Sequence, residues 1–169
     1  MDLKNKSFVK KHPELVSFII KLTCFALAVF ITFGLILGIT TMPSEYMEPN
    51  IKFHDFLIYS RITTDYFLQD VIIYEQDGET YVGRIVGTPG DKIEYKENGC
   101  LYLNGHLVYE SQIFINTDYS VAREAELGEN EYFVLTDNRQ YLTDSRKFGP
   151  ISSSQIKGTV LLDINRYHI

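Results

Sequence analysis

The chain is short of cysteine, has no clustered histidines and has no excess of basic residues, and each lack closes off a class of protein. Cys24 lies inside an apolar run and Cys100 just after a turn, so the two do not read as a pair. The fold must therefore be held by packing and backbone hydrogen bonds. His12, His54, His106 and His168 stand far apart without a ligand-like spacing, which indicates neither a metal site nor a cofactor. The formal net charge is −6, which argues against nucleic acid as a partner, because phosphates need a basic footprint. No internal repeat or low-complexity linker interrupts the 169 residues, which suit one membrane segment and one modest domain.

Charge is also missing from one long stretch. Residues 22–44 have no charged side chain and are mostly Leu, Ile, Phe, Val and Ala. As a helix this run spans roughly 34 Å, enough to cross a hydrocarbon layer of about 30 Å. A cleaved secretory signal would have a shorter core and a small-x-small exit. Thr40-Thr41-Met42-Pro43 is a poor cleavage site, so the run reads as an uncleaved anchor with its helix over 22–41. Residues 1–21 hold five lysines against two acids, a net of +3, whereas the remainder holds 11 basic and 20 acidic residues, a net of −9. The basic flank predicts a cytoplasmic N-terminus over 1–21 and an extracytoplasmic domain over 42–169, single-pass in the cell membrane.

Beyond Met42 the pattern is that of short strands. Stretches 56–62, 71–74, 81–86, 92–95, 100–103, 131–135 and 159–164 are rich in β-branched and aromatic residues and separated by turn signals. Asn98-Gly99 and Asn104-Gly105 supply the positive φ of tight hairpins, which predicts a ribbon over 91–109. The only helical candidate outside the anchor is short, over 152–157, and the polar, acidic segment 117–130 reads as a mobile loop. The expected fold is all-β, a barrel or sandwich on a single N-terminal transmembrane helix.

Three stretches in order carry a resemblance. "MPSEYMEPNI" resembles the P-S-x-S-M-x-P-T box of type I signal peptidases. "YVGRIVGTPGDKIEYKENGCLYLNG" resembles their Y-V-K-R-V-I-G-x-P-G-D box and the hairpin after it. "TDNRQYLTDSRKFGP" resembles their G-D-N-R-x-x-S-x-D-S-R-x-x-G-P box. The likeness takes in the anchor and nearly all of the exported part, and implies a signal-peptidase-like β domain.

That family uses a serine–lysine dyad, in which burial lowers the lysine pKa far enough for it to take the serine proton. The resemblance puts Tyr46 at the nucleophile position, Gly83 at the lysine and Leu142 at the serine that orients the lysine. Thr136 replaces the glycine opening the third box, and Asn50 the usual threonine of the first. Ser44 matches a residue that contributes to the oxyanion site. A phenol with pKa near 10 is a poor nucleophile, glycine has no side chain, and Arg84 cannot stand in because guanidinium does not deprotonate. Ser44 as a displaced nucleophile would lie about 6.5 Å from the usual attacking atom, with no lysine at 83 to face it. Asp137, Asn138, Arg139, Asp144, Ser145 and Arg146 match the third box and read as scaffold. Gly87, Pro89, Gly90 and Asp91 keep the turn after the base strand.

The resemblance then implies a cleft lined by Ser44, Tyr46, Met47, Gly83, Arg84, Leu142, Asp144 and Ser145, its strand edges at 83–88 and 142–145. The leading expectation is a pseudoenzyme, a membrane-anchored accessory protein that binds an exported precursor. The resemblance to signal-peptidase-like proteins of Gram-positive bacteria implies, further, a chaperone-like role in pilin polymerisation beside a sortase. Two alternatives stand beside it: an active signal peptidase using Ser44, and a subunit that modulates an active signal peptidase. The partners expected are an exported precursor or pilin, a sortase or an active peptidase, and lipid around the helix.

Overall fold

The computed structural model describes residues 13–96, 99–108 and 123–164. Helix α1 (Pro13–Ile31) runs on through a π-type turn, Thr32–Ile36. Together these 24 residues are long and apolar enough to cross a membrane, and among the described residues none buries them. The helix lies further toward the N-terminus than the 22–41 expected. It takes in Lys21, whose long stem can carry its charge to the interface, and it stops before β1 (Leu37–Thr41). Gly34 and Gly38 weaken helix in this stretch, and Ile39, Thr40 and Thr41 are β-branched, so pairing with β2 wins.

The strands that follow are β2 (Phe56–Ser60), β3 (Val71–Gln76), β4 (Glu79–Gly87), β5 (Lys92–Tyr95), β6 (Leu101–Leu103) and β7 (His106–Leu107). They continue with β8 (Arg123–Glu126), β9 (Glu131–Leu135), β10 (Ile151–Ser152) and β11 (Ile156–Ile164), and helix α2 (Ser145–Phe148) lies between β9 and β10. One sheet has seven strands in the order β1-β2-β11-β3-β4-β9-β10; the other has four, β7-β6-β5-β8. All pairings are antiparallel. The all-β expectation holds for the part beyond the helix.

Several details differ from the sequence reading. The helix expected over 152–157 is a 3-10 turn (Ser153–Gln155) that hands over to β11, while the helix that forms is α2, capped by the Asp144 carboxylate. Residues 123–126 of the expected loop are β8, which pairs with β5 with Glu126 opposite Lys92 and Ala125 opposite Ile93; residues 117–122 lie outside the described residues. In the ribbon, Asn104 and Gly105 have the positive φ their turn requires, while Asn98 is outside the described residues. Gly38 is required for another reason. A Cβ there would fall 2.1 Å from Cζ of Tyr59, whose ring lies across β1.

Three buried clusters fill the domain. One joins Met42, Tyr46, Met47, Ile51, Leu57, Ile73 and Val82. A second, on the other face of β3 and β4, joins Ile72, Tyr74, Ile85, Tyr132, Val134, Ile151 and Ile156. A third, around Ile93, Leu101 and Phe133, ties the small sheet to the large one. The candidate site lies where the first two meet across β4.

Candidate functional site

The chain leaves β1 at Met42, whose N–H donates to the Asp55 carbonyl at 2.8 Å. Ser44 is extended, half-buried, and its hydroxyl does not cap the 3-10 turn (Glu45–Met47) that follows. This turn points Tyr46 and Met47 inward. Tyr46 is 5% exposed, and its phenolic oxygen accepts the Val82 N–H at 3.2 Å. Burial pushes its pKa up to about 12, with the Val82 N–H pulling the other way. The Tyr46 carbonyl accepts the Asn138 N–H at 2.9 Å, so the turn is pinned from both sides. Tyr141 meets the Tyr46 ring edge-on at 6.4 Å, and its hydroxyl reaches the Glu45 carboxylate at 3.4 Å. A phenol with its pKa raised in this way stays neutral around pH 7, and a neutral phenol is a weak nucleophile.

Gly83 has no room for a side chain. A Cβ there would fall 2.5 Å from Val134 Cγ1 and 3.4 Å from Tyr74 Cε1. Tyr74 is buried, stacks on Tyr81 at 5.7 Å and donates its hydroxyl to the Thr143 carbonyl at 3.1 Å. Burial, with Asp144 adding, holds its phenol well above the usual range. Any side chain at 83 would thus begin by running into the Val134 isopropyl group and lying against the Tyr74 ring. Leu142 is half-buried in the loop, and its neighbour Tyr141 is the residue that packs over Tyr46.

Residues 136–146 form a buried polar knot. Arg84 holds the fully buried Asp137 bidentately, at 2.8 and 2.6 Å, and gives a third bond to the Gln69 carbonyl. Asn50 donates to the same carboxylate at 2.9 Å. Asp144 accepts Arg146 Nη2 at 2.7 Å and the Thr136 N–H at 3.0 Å. Arg146 reaches on to the Arg139 and Tyr141 carbonyls, and Arg139 donates to the Thr136 carbonyl. The Ser145 hydroxyl accepts the Val134 N–H at 2.9 Å, at the end of β9 that β10 does not reach. Asp137 and Asp144 each have an arginine as counter-charge, and the arginines also donate to backbone carbonyls, which is what a structural box requires.

The cleft read from the sequence is not an open one. Tyr46, Met47, Gly83, Asp144 and Ser145 are buried, and only Ser44, Arg84 and Leu142 keep partial exposure. Nor are 83–88 and 142–145 its edges. Arg84, Ile85 and Gly87 already pair with Leu135, Val134 and Phe133 of β9, and 142–145 form a loop and the start of α2. The sequence reading missed Val82, Tyr74, Val134 and Tyr141. One signal was present: a glycine inside a strand implies that something packs close over it, and Tyr74 lies diagonally across the ladder on the same face. Among the described residues no group of three or more His, Cys, Asp or Glu could hold a metal ion.

An anchoring helix and two β sheets around a serine-peptidase-like box define a class, and sequence comparison names it. Residues 14–164 match the family described as signal peptidase, peptidase S26, and the chain belongs to that family. It is 30% identical over 168 residues to signal peptidase IB of Staphylococcus aureus (strain Mu50), with 87% of each chain covered. It is 32% identical over 105 residues to signal peptidase I V of Bacillus subtilis (strain 168), covering 54% of this chain and 62% of that one. A crystal structure of a signal peptidase I from Enterococcus faecalis matches with a TM-score of 0.47 at 26% identity, over 56% of this chain and 96% of that chain.

Proposed function

We propose that this protein is a membrane-anchored family member that does not cleave, and that it serves exported polypeptides as an accessory factor. The observation carrying this reading is the pair Tyr46 and Gly83. The phenol at the nucleophile position is buried against the Val82 N–H, and the place for a base is filled by Val134 and Tyr74. The lysine-rich flank supports an N-terminus in the cytoplasm and an extracytoplasmic β domain. The finer role, aid to pilin polymerisation beside a sortase, rests on the resemblance; normal pilin polymers in a deletion strain would remove it.

The test of the core reading is a cleavage assay with full-length protein in detergent micelles, run on a pre-protein with an alanine-type signal beside an active signal peptidase. No product is expected. Product that disappears with Ser44→Ala would establish a displaced nucleophile and defeat the reading. A second reading, modulation of an active signal peptidase, is favoured by the packing of Tyr46 under Tyr141, which leaves little for a peptide to enter. Crosslinking that captures the active peptidase and never an exported precursor would select it.

A further inference from the structure

Strand β4 has two halves with different neighbours. The Ile85 N–H and carbonyl bond back to Asp70 and Gln69, on the side of β3. In an antiparallel ladder, direction alternates along the strand, so Tyr81 and Gly83 also face β3 while Thr80, Val82 and Arg84 face away from it. On that far side β9 reaches only to Arg84, opposite Leu135, and then turns into the 136–146 loop. Thr80 and Val82 therefore present backbone groups along an edge that no described strand covers. Such an edge is a template for an extended chain.

The Val82 N–H on this edge is already taken by the Tyr46 hydroxyl. The ring behind that hydroxyl sits in the cluster of Met42, Met47, Ile51 and Val82, with its backbone held by Asn138 and Tyr141 over it. We infer that Tyr46 is the specificity-determining residue of the β4 edge: it occupies the place of an added strand and so bars extended peptides from a surface otherwise shaped to take them. A polypeptide partner must then be met by some other face of the domain. The inference rests on the non-cleaving reading above and narrows it.

The test uses full-length protein in micelles, a fluorophore-labelled alanine-rich extended peptide as probe, and backbone amide exchange read at Val82. The wild type is expected to show no saturable binding and a protected Val82 amide. Tyr46→Ala is expected to bind the peptide at least about tenfold more tightly than wild type, with Val82 protection returning on binding. Wild-type binding with protection spreading to Thr80 would overturn the inference, as would a folded Tyr46→Ala protein that gains no binding. Should Tyr46→Ala fail to fold, Tyr46→Phe decides. Faster exchange at Val82 supports the phenol as the group holding the edge, and unchanged exchange refutes it. The two proposals fail separately: cleavage by wild type defeats the non-cleaving reading, whereas uncleaved peptide held on β4 by wild type defeats only this one.

Discussion

Tyr46 keeps its proton where a free tyrosine would lose it, and that difference couples its titration to folding. The unfolded chain ionises this phenol near pH 10, while burial holds it neutral in the fold to about 12. Its contribution is therefore complete below pH 10 and is lost as pH rises toward about 12. Tyr46→Phe should make the alkaline fall in stability shallower, read by chemical denaturation across that range; Tyr74 is shifted the same way and keeps some of the slope. At position 83 the constraint is steric. Tyr46→Ser with Gly83→Lys should show no turnover, because the new Cβ meets Val134 at 2.5 Å and Leu142 offers no hydroxyl to orient the amine. The clash should lower stability by about 1–3 kcal/mol in a denaturant titration, and measurable cleavage would refute the prediction. Tyr46 and Gly83 were legible from the motif spacing, since each stands where a box expects another side chain. Tyr74 and Val134 were not, because a tyrosine and a valine on β strands look like ordinary core until the sheet register sets them over the glycine.

Among the elements, the strands with β-branched and aromatic residues between Asn-Gly turns could be read directly, as β5 and β6 illustrate. β1 could not, because Leu37–Thr41 continues the apolar run of the helix with no polar break. β8, Arg-Glu-Ala-Glu, reads as solvent loop; it pairs with β5 with Ala125 opposite Ile93 at the third cluster and Glu126 opposite Lys92, which outweighs Glu124 facing Glu94. Helix α2 has four residues and one local cue, the Asp144 cap. The pairing of β1 with β2 makes a prediction of its own. Gly38→Ala should cost about 1–3 kcal/mol, since its methyl would enter the Tyr59 ring. Tyr59→Ala should be costly alone, and the double mutant should lose less than the sum of the two, because removing the ring makes room for the methyl. Strict additivity in melting experiments would disprove the contact.

For the molecule as a whole, the Arg84–Asp137 pair is the joint. It brings together β4, the turn that ends at Gln69, the segment around Asn50 and the 136–146 loop. Arg84→Ala leaves the Asp137 carboxylate buried beside Asn50 alone and should cost about 3–5 kcal/mol, measured by denaturation in micelles. A loss under 1 kcal/mol, the range of a surface pair, would show the joint to be ornamental. The hydrogen bond from Asn138 to the Tyr46 carbonyl has a different kind of consequence. It grips main chain, so this one hold on the turn does not depend on the side chain at 46. At 83 the constraint lies instead in neighbouring side chains, since any Cβ there would fall 2.5 Å from Val134 and 3.4 Å from Tyr74. Adding a side chain at 83 requires its neighbours on β3 and β9 to change with it, so this position is locked by the sheet around it and not by its own backbone.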